Sequence, residues 1–127
     1  MPTTVTEGVR VTVESVFLED RSAPDENSYA FAYTVTIANE GTTRVQLRRR
    51  HWIITDGDGR VEEVEGPGVV GEQPVLEPGA AHSYTSGAVI KTPVGTMEGT
   101  YEMHGANGRI FKAAIPRFGL HMPGVLH

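Results

Sequence analysis

The sequence predicts an all-β chain: an antiparallel β-sandwich of immunoglobulin-like or fibronectin III-like build, folded as one domain over its 127 residues. Three observations carry this expectation. Apolar residues recur with a period of two, most clearly at Tyr29, Phe31, Tyr33, Val35 and Ile37, with Ala30, Ala32, Thr34 and Thr36 between them. Turn-forming residues punctuate the chain at short intervals, drawn from 15 glycines and 8 prolines. No segment carries the apolar stripe of an amphipathic helix. A small closed barrel is the competing arrangement.

The elements follow in order. Val9, Val11 and Val13 alternate with polar neighbours, and Val16-Phe17-Leu18 then breaks the alternation, as a bulge would. Residues 19–28 are polar and turn-rich, so they read as a loop. The strand beginning at Tyr29 has one aromatic and aliphatic face and one small face, and Asn39-Glu40-Gly41 closes it. Residues 44–55 form a long strand ending in Trp52-Ile53-Ile54. Asp56-Gly57-Asp58-Gly59 is an Asp-Gly hairpin signal leading into residues 60–65. After a glycine-rich loop, Pro74-Val75-Leu76 is a short extended piece and Glu77-Pro78-Gly79 turns the chain. Residues 81–90 and 96–103 are two further strands, and Gly105-Ala106-Asn107-Gly108 turns into a last one over 109–115. Pro116-Arg117-Phe118 and the tail to His127 read as loosely ordered. The expected core is Val11, Val13, Phe31, Tyr33, Val35, Ile37, Trp52, Ile54, Tyr84, Tyr101, Phe111 and Ile115, with Trp52 as its central anchor.

Composition narrows the function classes. A net charge of −5 argues against a chain whose main partner is a nucleic-acid backbone, which demands a basic surplus. The absence of cysteine removes disulfides, thiolate metal sites and a Cys nucleophile, and fits a reducing compartment. The opening MPTTVTEGVRV has neither a basic n-region nor an apolar h-region, and no long apolar run exists. The expectation is a soluble, cytoplasmic chain without membrane insertion.

The motif that demands most scrutiny is Gly66-Pro67-Gly68-Val69-Val70-Gly71, which matches G-x-G-x-x-G. Phosphate binding by that motif needs a helix opening at the glycines, so that its N-terminal amides and dipole face the anion. Pro74, Pro78 and Gly79 leave no room for one. The carboxylates of Glu62, Glu63 and Glu65 just upstream would also repel a phosphate. The six residues are therefore expected to join strands, with glycines serving the backbone. As a binding loop they would offer Val69 and Val70 as a small apolar contact, and a backbone nest for phosphate is the alternative.

The run Arg48-Arg49-Arg50-His51 is the only dense basic stretch. Simple alternation places Arg48 and Arg50 on the face of Trp52, and Arg49 and His51 on that of Leu47 and Ile53. Arg48 and Arg50 are thus the candidate contact for an anion or an acidic partner, against arginine stems lying over the core's rim. No metal site is expected. His51, His82, His104, His121 and His127 show no ligand spacing. Asp56 and Asp58 start like a calcium loop, but Pro67 stands where its closing Glu belongs. No nucleophile elbow or ordered Ser-His-Asp set suggests an enzyme, and no cofactor is implied.

Several of these blocks carry a resemblance. Trp52-x-Ile54-x-Asp56 with Gly59, the run from Val64 through GPGVVGEQPVLEPG, then Tyr84-Thr85-Ser86-Gly87 and Gly95-Thr96-Met97-Glu98-Gly99-Thr100-Tyr101 resemble the ApaG family, also called CorD. The similarity spans nearly the whole chain. It implies a fibronectin III-type sandwich, an association with cobalt tolerance and magnesium efflux in bacteria, and interaction modules in eukaryotic relatives. The function expected is a non-enzymatic module for a protein partner, linked indirectly to divalent-cation homeostasis. A nucleotide- or pyrophosphate-binding protein or hydrolase using residues 66–71 is the alternative. Homo-oligomerisation through an edge strand is left open.

Overall fold

The computed structural model describes residues 1–125. Among them nine strands follow one another: β1 (Thr3–Thr6), β2 (Val9–Phe17), β3 (Tyr29–Asn39), β4 (Val45–Asp56), β5 (Val61–Pro67), β6 (Val75–Leu76), β7 (Ala81–Ile90), β8 (Val94–Gly105) and β9 (Ile110–His121). The helical content of this region is three short 3-10 turns, at Glu19–Arg21, Pro24–Glu26 and Ala106–Gly108. Two antiparallel sheets face each other, ordered β1-β2-β3-β7 and β5-β4-β8-β9, with β6 pairing the start of β4. The sandwich is thus present and the closed barrel is not.

Period-two patterning places the core between the sheets. Val9, Val11 and Val13 of β2, and Phe31, Tyr33, Val35 and Ile37 of β3, turn inward together. They meet Leu47 and Trp52 of β4, Met97, Tyr101 and Met103 of β8, and Phe111, Ile115, Phe118 and Leu120 of β9. Trp52 is the hub: its ring lies 5.2 Å from Tyr33, 5.9 Å from Phe118 and 6.4 Å from Tyr101, each near edge-on. Such pairs add about 0.5–1.5 kcal/mol each beyond burial. Ile54 and Tyr84 are partly buried at its margin. Asn39 is the one buried polar residue among those described. Its amide donates to the carbonyls of Thr43 (2.8 Å) and Leu76 (2.9 Å), and its oxygen accepts from Gly41 N–H (3.0 Å).

Bulges fall elsewhere than the sequence suggests. The β2–β3 ladder runs unbroken from Val9↔Asn39 to Phe17↔Phe31, and Val16 simply faces solvent. The β4–β8 ladder does slip, because Leu47↔Met103 is followed by Arg49↔Glu102, leaving Arg48 as the extra residue. On β9, Ile115 pairs Gly99 while Phe118 pairs Met97, so Pro116 and Arg117 share a second bulge. A bulge tolerates a proline that lacks its N–H, and it resets the phase so that Phe118 and Leu120 also face inward. The segment expected to be loose is therefore ordered strand as far as His121. Leu126 and His127 lie outside the described residues.

The two long sides of the sandwich differ. Along one, Thr4 Oγ1 donates to Ala114 O (2.6 Å), Ala114 N–H donates to Thr6 Oγ1 (3.1 Å) and Ser15 Oγ donates to Gly119 O (2.9 Å). These bonds seal β1 and β2 against β9. Along the other side β5 and β7 are the outer strands, and no hydrogen bond joins them among the described residues. That side is open.

Candidate functional site

The bulge at Arg48 decides where the basic run points. It shifts the phase by one residue, so Arg50 joins both Leu47 and Trp52 on the inner side of β4, while Arg49 and His51 face out. Arg48 and Arg50 consequently do not share a face, contrary to simple alternation. The Arg48 guanidinium stays at the surface, where Nε donates to Gln46 Oε1 (2.8 Å).

Arg50 meets the glycine loop. Its Nη1 donates to the carbonyls of Pro67 and Gly68, both at 3.0 Å. Gly66 lies opposite Arg50 on β5, and a Cβ there would stand 3.1–3.3 Å from the guanidinium. The first glycine of the motif makes room for a cation of this chain. Gly68 answers a different need: its φ is +63°, and a Cβ would lie 2.3 Å from Glu72 O. Beyond it, Val69 N–H donates to Glu72 O (2.8 Å) and Glu72 N–H to Val69 O (3.0 Å), closing a tight turn with positive φ at Val70 (47°) and Gly71 (79°). Gly68 N–H and Gln73 Nε2 donate to Arg48 O, at 2.9 and 3.0 Å. No helix follows the glycines, and the amides of Gly68 and Val69 are already engaged. Val69, expected to be displayed, is buried in the core because the turn folds it inward. Val70 alone stands at the tip, 64% exposed.

Beside Arg50, the hydroxyls of Tyr84 on β7 and Tyr101 on β8 hydrogen-bond across the gap between the sheets. Burial pushes the pKa of both well above the ordinary tyrosine value, with the Arg50 charge acting weakly against it. The pair is a neutral polar clasp. On the same inner face of β7, the His82 ring stacks on Tyr84. Its Nε2 is buried without a hydrogen bond, 3.8 Å from Glu72 Oε2.

Beyond the clasp the open side forms two adjoining clefts. One, of about 300 Å³, is walled by Tyr33, Arg50, Trp52 and Val64, and by Ser86 to Val89 of β7. The other, about 340 Å³, includes Val61, Ile90 and Lys91. They share Ile54, Glu62 and Val89. Strand alternation divides the three glutamates of β5. Glu63 and Glu65 face outward to His51, at 2.7 and 4.0 Å, whereas Glu62 lies on the inner side without an ion-pair partner among the described residues.

The remaining polar candidates are occupied by structure. Asp56 Oδ1 accepts from the amides of Asp58 (2.9 Å) and Arg60 (3.0 Å), which makes it a turn carboxylate. His104 bonds Glu102 (2.9 Å), holding that carboxyl below its usual pKa. No three His, Asp or Glu side chains converge as a metal site among the described residues. None of the helices in this region is long and apolar enough to cross a membrane.

Architecture and site define a fibronectin III-like sandwich with one open side. The ApaG domain family matches residues 19–105, and the chain belongs to that family. It is 59% identical to Protein ApaG of Pseudomonas aeruginosa (strain LESB58) over 119 residues, which is 94% of either chain. To Protein ApaG of Methylobacterium sp. (strain 4-46) it is 58% identical over 120 residues, covering 94% of this chain and 92% of that one. A crystal structure of the ApaA protein from Bordetella pertussis superposes with a TM-score of 0.89 at 47% identity, covering 98% of both chains.

Proposed function

We propose that this chain is a non-enzymatic binding module for a protein partner, acting in the cytoplasm. The observation that carries this reading is the open side: two adjoining, partly apolar clefts between free strand edges, with Val61 and Val89 exposed at 60% and 64%. The Asp56 carboxylate and the Ser22 hydroxyl are spent on nearby backbone. In the glycine loop the amides of Gly68 and Val69 and the carbonyls of Pro67 and Gly68 are spent on Arg48, Glu72 and Arg50. The resemblance to a family tied to cobalt tolerance and magnesium efflux then fits an indirect role, exerted through the partner. Affinity capture from native cytosol, with quantitative mass spectrometry, tests the reading. A partner recovered in stoichiometric amounts and dissociable by competition supports it. No specific partner, together with turnover of a nucleotide or phosphoester, overturns it. Calorimetric titration with NAD, ATP and pyrophosphate tests the alternative directly. Affinity tighter than about 100 μM, some 5.5 kcal/mol, would return the glycine loop to candidacy as a phosphate site.

A further inference from the structure

The four outer strands of the two sheets are not equally protected. The β9 edge is sealed by Thr4 and Thr6. β1 spans only Thr3–Thr6. β5 carries Glu62, Glu63 and Glu65 and ends in Gly66-Pro67, the charges and proline that deter strand pairing. β7 has none of these devices. From Ala81 to Ile90 it contains no Lys, Arg, Asp, Glu or Pro, and its register with β3 is unbroken over that length. Its outward residues, Ser83, Thr85, Gly87 and Val89, are small, and Thr85 and Ser83 bond Thr34 (2.8 Å) and Thr36 (2.6 Å). This is a long edge without Lys, Arg, Asp or Glu, and its outer backbone groups have no partner among the described residues.

We infer that β7 is a docking strand, and that its occupant is an extended segment of a partner protein that adds beside it as a further strand. The inference rests on the reading of the chain as a binding module and specifies the surface and the partner's chemistry. Side chains on an added strand alternate, so those at i and i+2 stand about 6.5–7 Å apart on one face. The inner ones would enter the two clefts that adjoin at Val89, where Ile54, Val61 and Val64 supply apolar walls. Glu62 sits on the rim both clefts share and makes no ion pair among the described residues. Of the cations lining the clefts, Arg50 is spent on Pro67 and Gly68, Arg60 on Asp56 and Asp58, and Lys91 lines only one of them. The segment therefore carries two apolar side chains and one Lys or Arg on the same face. A second copy of this chain fits poorly. Its own β7 would offer His82, Tyr84, Ser86 and Ala88 to the clefts, with no Lys or Arg for Glu62.

The test selects a random peptide library against the purified chain, then maps the enriched peptides by amide chemical shifts and hydrogen exchange. Alternating apolar peptides with a Lys or Arg in phase should emerge, and should protect the amides of residues 83–89. The exposed substitutions Glu62→Lys and Val89→Lys should each weaken binding about tenfold or more, because they reverse the contact charge or block the edge. Their melting curves verify that both variants stay folded. Binders that map elsewhere, or bind Glu62→Lys equally well, overturn the inference while leaving the binding-module reading intact. So does a concentration-dependent dimer that protects the same amides. A library yielding no binder overturns it too, and the binding-module reading falls with it only if cytosolic capture also fails.

Discussion

Gly68→Ala is the sharpest test of why the glycine motif exists. The substitution adds a Cβ 2.3 Å from the backbone oxygen of Glu72, at a φ of +63°. The left-handed conformation costs an alanine about 1–2 kcal/mol. The clash cannot be relieved by a side-chain rotation, because the obstacle is main chain. Moving Glu72 away breaks the paired bonds with Val69 (2.8 and 3.0 Å), worth about 1 kcal/mol each. The expected loss is about 3–4 kcal/mol. An unfolding entropy of about 2.1 cal/mol/K per residue converts this to a melting-point drop of roughly 11–15 °C for a chain of this size. Gly71→Ala is the internal control. Gly71 has φ +79° but no atom within 4 Å of the added carbon, so only the conformational cost applies, roughly 4–8 °C. Scanning calorimetry on both variants decides. If Gly68→Ala melts no lower than Gly71→Ala, close packing is not what the second glycine serves, and the structural account of the loop fails.

Four further outcomes are expected. Val70→Asn should raise the melting point by about 4 °C, since Asn tolerates the left-handed conformation at φ +47° that a β-branched residue resists, a gain of about 1 kcal/mol; an unchanged value would show no strain there. Tyr84→Phe should cost about 1–3 kcal/mol by orphaning the buried Tyr101 hydroxyl, and the double change with Tyr101→Phe should cost less than the sum of the singles; an additive double-mutant cycle in urea denaturation would contradict the pairing. Both tyrosines ionise higher in the folded chain than in the unfolded one, so the unfolded state releases these protons first. Stability is therefore full below pH about 10, falls as pH rises beyond it, and falls less steeply in the double Phe variant; identical alkaline profiles would rule this out. Micromolar Co²⁺ or Mg²⁺ should leave the melting temperature unchanged, whereas a metal-dependent rise would point to direct binding.

The sequence made most of the strands legible because period-two patterning is a local property. Phe31 to Ile37, Val9 to Val13 and the span Ala81–Ile90 are placed as their alternation requires. It misled wherever a bulge changed the phase. At Pro116 the alternation seemed to stop, yet an extra residue lets the chain pass the proline and bury Phe118 and Leu120. At Arg48 the same device separates three consecutive arginines. Arg48 lies at the surface, Arg49 on the outer face, and Arg50 inside against the loop. Pairwise contacts were harder still to foresee. The Tyr84–Tyr101 clasp joins residues from different sheets, and both look like ordinary core positions in the sequence. The open side had one visible signal, the absence of charge and proline from residues 81–90, but an edge strand has meaning only once the sheet order is known.

The glycine loop and the open side are parts of one construction. A phosphate site presents backbone N–H groups to an anion, whereas this loop presents two carbonyls to a cation, the Arg50 guanidinium. The polarity is opposite to that which G-x-G-x-x-G suggests. Arg50 also walls the cleft beside Trp52, so the bonds that fix the loop fix the floor of the cleft. Gly66 permits the contact by lacking a Cβ, and Gly68 keeps the loop close enough to receive it. A side chain at Gly66 would press on the Arg50 guanidinium directly, whereas one at Gly68 would press on Glu72 and so on the loop whose carbonyls hold Arg50. The motif thereby helps to shape a cleft that none of its own six residues lines.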